Sequence, residues 1–293
     1  MKIILSRKGF DSTAGGIPSP IMPDRKLLSL PIPVTESQRA RREQGIRYQD
    51  LEFDGQPLDE IIRQLRFRCR DPFPYEEAHL DPDLDPGRFA PREPDWKRSF
   101  GQQGGAQTYL TNRGVGVGDL FLFFGWFKRA SHENGQWRYV PRAKDLHLIL
   151  GWLHVGEACP IARDQDPTDI PAWLHYHPHV VNRGLYTNNT IYIASKGFRL
   201  NGLSVEGAGT FQGFNPSVAR RGPSLQLTAP SERLRSHWCL PNWLCQGHIE
   251  GRWLCDGNHL PFNSGGRRQE FVFDMPETRE ATDWLKGLFE SHV

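Results

Sequence analysis

Four side chains in this sequence are suited to moving protons or holding a metal: Asp11, His79, Asp81 and His177. Asp11 belongs to the run Ser6-Arg7-Lys8-Gly9-Phe10-Asp11-Ser12, which is followed by Gly15 and Gly16. Arg7 and Lys8 suit a phosphate group, Ser6 and Ser12 offer hydroxyls, and Asp11 could serve as a base or a metal ligand. Gly15 and Gly16 let a backbone come close to a ligand. The spacing is not that of a Walker loop. The competing reading is a capped turn in which Asp11 satisfies backbone N–H groups.

His79, Asp81 and Asp83 alternate in the segment His79-Leu80-Asp81-Pro82-Asp83-Leu84-Asp85-Pro86. In extended backbone all three point to one side, and the prolines favour extension. One imidazole with two carboxylates suits a divalent metal, so Asp83 joins His79 and Asp81 as a candidate ligand. The alternative is an acidic, solvated loop. In His175-Tyr176-His177-Pro178-His179 a strand would line three imidazoles on one face, to bind zinc or iron or to meet a phosphate or base. Gln103 and Gln107 could read the edge of a base or sugar; their alternative is an ordinary connecting turn. No reaction or obligatory cofactor follows from these residues, and a divalent metal is the cofactor they would accommodate.

The five cysteines are widely spaced, and Cys239, Cys245 and Cys255 lack the Cys-x2–4-Cys spacing of a zinc knuckle despite His237, His248 and His259 nearby. Reduced thiols, with no zinc on them, are the expectation. No Gly-x-Ser-x-Gly elbow is present.

The elements that must position these groups are mostly strands. Lys2 to Leu5 reads as a buried strand, and Val115-Gly116-Val117-Gly118-Asp119 as a turn leading into a fully buried strand from Leu120 to Phe127. Trp137–Val140, Leu146–Glu157, Thr190–Ala194 and Phe271–Phe273 are further strands, with Leu120–Phe124 expected to pair antiparallel with Leu146–Leu153. Helices are expected at Leu58–Phe67 and Glu277–Phe289 from their apolar spacing. Residues 71–94, rich in Pro and Asp, must be loop-like. The predicted class is α+β: β-rich, a mostly antiparallel sheet with few helices, in a single domain over 1–293.

Composition narrows the function. Hydrophobic residues make up 38% and charged residues 24%, enough to close a core and exclude wholesale disorder. The 29 Gly and 23 Pro are not periodic, which excludes a collagen-like chain. No run approaches a membrane span, and the apolar part of the N-terminus is too short for a signal peptide, so a cytoplasmic protein is expected. A net charge of +2 does not by itself demand a nucleic-acid partner, although Arg far outnumbers Lys.

Together these motifs resemble a family. Ser6–Ser12 with Gly15-Gly16-Ile17-Pro18-Ser19-Pro20 looks like the opening of the nucleotide modification associated domain 3 family. His79–Leu84, Phe100-Gly101-Gln102, Gly118–Gly125, Gly151-Trp152-Leu153, His177-Pro178-His179, Trp238-x-Leu240-Pro241 and Gln269-Glu270-Phe271-Val272 fit it too, so the likeness runs from residue 3 to about 284. It implies a link to nucleotide or DNA modification, without a settled reaction. Residues 114–157 are also similar to the small barrel of PUA-like domains, including ASCH and EVE types, which bind RNA or altered bases. That likeness implies a partly PUA-like barrel core around 114–195.

Three functions are open at this level. The first is an enzyme acting on a nucleotide or a base in DNA, with Asp11, His79, Asp81, Asp83 and His177 gathered near Arg7 and Lys8. The second is a non-catalytic reader that cages a modified base between aromatics such as Trp126, Trp152 or Tyr109 and reads it with Gln103, Gln107 or Asn112. The third is a partner-binding subunit whose polar motifs cap turns. Convergence of the polar segments on one pocket would favour the enzyme.

Overall fold

The computed structural model describes residues 1–67, 69, 73–214, 224–245, 251–255, 259–265 and 269–293. In chain order the strands are β1 (Lys2–Arg7), β2 (Ser19–Ile21), β3 (Ile46–Arg47), β4 (Glu52–Phe53), β5 (Gln56–Pro57), β6 (Glu77–Ala78), β7 (Ser99–Gln102), β8 (Leu120–Glu133) and β9 (Gln136–Tyr139). They continue with β10 (Leu146–Pro160), β11 (Thr190–Ala194), β12 (Gly197–Leu200), β13 (Leu203–Glu206), β14 (Ala208–Thr210), β15 (His237–Pro241), β16 (His259–Asn263) and β17 (Glu270–Asp274). The helices are α1 (Glu36–Ala40), α2 (Leu58–Leu65), α3 (Gly104–Asn112), α4 (Pro178–Val181) and α5 (Arg279–Glu290). The fold is β-rich α+β with mostly antiparallel pairing.

The main sheet runs β17-β1-β8-β10-β11-β7. β1 lies between β17 and β8, which explains why Ile3, Ile4 and Leu5 are all buried. Its pairing with β8 is parallel and therefore needs a crossover. The long excursion from Lys8 to Asp119 provides it and carries the His79–Asp83 segment on the way. β8 and β10 pair antiparallel from Leu120↔His154 to Phe127↔Leu146. Two register shifts bend β10, between Ile149 and Gly151 and between Val155 and Glu157, so that its second half pairs with β11.

This sheet curls without closing. β17 and β7 end the strand order and share no ladder among the described residues, although the Gln102 amide of β7 donates to Glu270 of β17 at 2.6 Å. The expected PUA-like barrel over 114–195 is therefore corrected to an open, coiled sheet. The polar bridge between its ends places one cluster of side chains inside the curl.

The helices follow their patterns where apolar residues set them. α2 buries Leu58, Ile61, Ile62 and Leu65, as its spacing requires. α5 starts after Thr278, whose hydroxyl accepts from the Ala281 N–H, and buries Ala281, Leu285, Leu288 and Phe289. α3 has no such stripe, and only Gln107 and Leu110 are buried. The Phe100–Gln107 segment is thus a strand followed by a helix and not a connecting turn. His175–His179 is not a strand either: His177 caps α4, which Pro178 starts. No described helix is long and apolar enough to cross a membrane.

The cysteine reading is also corrected. Cys239 and Cys255 form a disulfide with Cα atoms 5.6 Å apart, because the β15–β16 region folds the chain back on itself. Cys69, Cys159 and Cys245 take no part in that disulfide. His248 lies outside the described residues.

Candidate functional site

Side chains alternate across a strand, and this decides where the first motif goes. Ser6 and Lys8 leave the end of β1 toward the inside of the curl, whereas Arg7 leaves toward the opposite face. Glu270 pairs with Ser6 in the β1–β17 register and shares its face. Its carboxylate accepts from the Ser6 hydroxyl at 3.0 Å and the Gln102 amide at 2.6 Å, and lies 3.5 Å from the Lys8 ammonium. Lys8 also sits 4.1 Å above the Phe100 ring. Burial raises the Glu270 carboxyl above its ordinary range, opposed by Lys8 and by these hydrogen bonds.

Beside this group lie His79, Asp81, His177 and His179, all under 9% exposed. Asp81 comes in on the extended segment after β6, and its Oδ1 accepts from the Gly101 N–H at 2.7 Å. His177 Nε2 stands 3.6 Å from Asp81 Oδ1, and His179 Nε2 stands 3.8 Å from Asp81 Oδ2. His79 Nε2 is 3.3 Å from the Tyr186 hydroxyl. A Cβ on Gly101 would meet the His179 ring at 2.3 Å, so only glycine admits that ring. Burial pushes the Asp81 carboxyl up to about 7, against the pull of Lys8. Burial holds His79 and His177 well below the usual imidazole range and His179 at about 4. Neutral imidazoles beside a carboxylate form a ligand set, and His79, Asp81 and His179 each offer an atom within 4.8 Å of the others.

Asp83 is not in this group. Its buried carboxylate takes both Arg92 guanidinium N–H groups at 2.7 and 2.8 Å, the Tyr176 hydroxyl at 2.5 Å and the Trp96 indole N–H at 3.2 Å. Its backbone bridges Ser99. His175 bonds the Pro167 and Ile170 carbonyls. Gln103 stands at the N-terminal boundary of α3 without a side-chain capping bond, and Gln107 bonds the Tyr192 hydroxyl at 3.0 Å. Gln107 is thereby occupied by a structure-building contact.

Arg7, Asp11 and Ser12 line a separate pocket of about 570 Å³, with Phe10, Thr13, Trp126, His147, Leu234, Arg235 and Gln269 among its walls. Asp11 Oδ1 accepts from the Thr13 N–H and hydroxyl and from the Ala14 N–H at 2.7–2.8 Å, the turn that the competing reading describes. Its Oδ2 is 3.9 Å from the Arg7 guanidinium. Gly15 and Gly16 close this turn: Gly15 lies against the Phe10 ring, and the Gly16 N–H bonds the Asp11 carbonyl. Arg235 donates to Ser12 at 2.5 Å and stacks 4.2 Å above Trp126. His147 is 6% exposed, and its Nδ1 accepts from the Trp238 indole, so the proton sits on Nε2. Burial lowers its pKa to about 3. Of the other aromatics considered for a base cage, Trp152 is buried against Phe211 and Phe289, and Tyr109 is exposed on α3.

The first motif is therefore divided between two sites, back to back across β1. Glu270, Gln102 and His179 join the inner cluster, and His147 and Arg235 join the outer pocket. Glu270 had one readable signal, an acidic residue heading the apolar run Phe271-Val272-Phe273. Arg235 had none.

The family profile of nucleotide modification associated domain 3 matches residues 2–274. The chain belongs to that family, whose description connects it with nucleotide modification. No curated protein and no solved structure matches it.

Proposed function

We propose that this protein is an enzyme that modifies a nucleotide or a base in DNA, and that its substrate binds in the pocket of Arg7, Asp11, Trp126, His147 and Arg235. One observation carries the reading: a pocket of about 570 Å³ joins two guanidiniums and an indole to a carboxylate and a neutral imidazole. That volume is within the roughly 300–1,000 Å³ of small-molecule sites. Arg7 and Arg235 would neutralise a phosphate, and Trp126 would stack on a base. Asp11 Oδ2, free of the turn that holds Oδ1, would take a proton. His147, kept neutral, would donate from Nε2 to an oxygen that gains charge. His79, Asp81 and His177 are buried and do not line this pocket, so they are assigned no contact with the substrate base. A cytoplasmic location is part of the proposal, and there the Cys239–Cys255 bond would have to resist reducing thiols.

One observation favours a non-catalytic reader: three hydrogen bonds tie Asp11 Oδ1 into its own turn. Calorimetric titration with nucleoside monophosphates and short single-stranded DNA tests binding, and nucleoside mass analysis after incubation tests turnover. Binding lost in Arg7→Ala and Arg235→Ala, with a mass change that disappears in Asp11→Asn, is the expected result. Binding with no mass change would select the reader. No binding by the native chain would refute both.

A further inference from the structure

We propose that His79, Asp81 and His179 form a binding site for one divalent first-row transition ion inside the curl of the sheet. This site is independent of the nucleotide pocket.

The hydrogen bonds around His179 fix its tautomer. The Asn189 side chain donates its Nδ2–H to the His179 carbonyl at 2.7 Å, which leaves Asn189 Oδ1 facing His179 Nδ1 at 2.6 Å. An oxygen there requires Nδ1 to donate, so the Nε2 of neutral His179 is a bare lone pair. That lone pair faces Asp81 Oδ2 at 3.8 Å. With Asp81 ionised, two acceptors meet in a buried place, an arrangement that a cation between them makes favourable. The separation is close to the roughly 3.0–3.5 Å between two ligands bound at about 2.1 Å to one ion.

The surroundings act as supports for such ligands. Asn189 orients His179 as a carboxamide behind a metal-bound imidazole does. Gly101 N–H holds Asp81 Oδ1 and leaves Oδ2 free. The His177 Nδ1 accepts from the His179 N–H at 3.2 Å, which puts its proton on Nε2. That Nε2 is buried with no hydrogen-bond partner and stands 3.6 Å from Asp81 Oδ1, aimed at the same carboxylate. The buried acidic groups nearby are Asp81, Glu270 and Glu43; Lys8 lies 3.5 Å from Glu270, and Arg41 lies 3.5 Å from Glu43. Two imidazoles and one carboxylate select Zn²⁺, Co²⁺ or Fe²⁺ over Ca²⁺ or Mg²⁺.

The test is cobalt titration of the full chain after chelator treatment, followed by visible absorption, with elemental analysis of the untreated protein. One Co²⁺ per chain, displaced by Zn²⁺, is expected. His179→Gln and Asp81→Asn should abolish the signal, and Asn189→Ala should weaken binding roughly 10- to 100-fold through the lost orientation. Asn189→Ala leaves the ligands in place and so remains informative if a ligand variant fails to fold. Natively folded chain that takes up no cobalt would overturn the proposal. So would binding unchanged in His179→Gln or Asn189→Ala, because the ion would then sit elsewhere. None of these readouts uses nucleotide binding or turnover, so this site and the nucleotide pocket stand or fall separately.

Discussion

Replacing Asp83 with Ala separates a structural carboxylate from a metal ligand. Asp83 is fully buried and collects four hydrogen bonds from Arg92, Tyr176 and Trp96, while the Arg92 side chain is 13% exposed. Removing the carboxylate takes the counter-ion from the Arg92 guanidinium and the acceptor from the Tyr176 phenol, while Arg92 keeps the Asp85 and Pro86 carbonyls and the Trp96 indole keeps the Tyr176 oxygen. Breaking one side of such a buried pair costs about 3–5 kcal/mol, and the individual hydrogen bonds do not add on top of it. A domain is stable by about 5–15 kcal/mol, so this is a large fraction of the total. At about 2–4 °C per kcal/mol, the melting temperature should fall by roughly 6–20 °C. Asp83→Asn keeps one acceptor oxygen and should lose less. Urea denaturation gives the free energy, and cobalt titration in native buffer gives metal binding. The expected result is a large loss of stability with cobalt stoichiometry unchanged in whatever fraction stays folded. A variant within 1 kcal/mol of the native chain would refute the buried-pair reasoning.

Acid should destabilise the protein through His147. Its folded pKa of about 3 is below the unfolded value near 6.5, so the unfolded chain binds a proton first. Stability is then complete above about pH 6.5 and declines as pH falls toward 3, by about 3 kcal/mol from this group between pH 7 and 4. His147→Gln should flatten that part of the urea-midpoint profile; an identical slope would remove His147 as the cause. Gly101→Ala should cost about 1–3 kcal/mol in urea denaturation, because its Cβ would lie 2.3 Å from the His179 ring. Thiol titration of unreduced, denatured chain should count three groups, from Cys69, Cys159 and Cys245; five would mean that Cys239 and Cys255 are not bonded.

The strands and helices that bury continuous or periodic apolar residues were legible in the chain. Leu120–Phe127 and Leu146–Leu153 have no polar face to offer solvent, so they had to be interior strands, and their pairing followed from the linker between them. α2 and α5 were readable for the same reason. α3 was not, because its two leading glycines and polar residues give weak local preference; Gln107 on Tyr192 and buried Leu110 hold it in place. The barrel suggested by residues 114–157 was not legible as an open sheet, since closure depends on whether two distant edges pair.

By itself, the sequence determined that reactive groups sit at the ends of rigid strands and beside prolines, and that the chain has a β-rich core. Which of those groups meet was decided only by tertiary structure. Alternation along β1 sends Arg7 to one face and Ser6 and Lys8 to the other. The turn at His177-Pro178 aims His177 and His179 at Asp81, whereas strand geometry would have lined up His175 with them. Asp83, two residues from Asp81, is claimed by Arg92. The physical reason is common to all three cases. Residue type and local spacing fix what a side chain can do, but a buried polar group settles on whichever partner the packing brings within reach, and those partners lie far away along the chain.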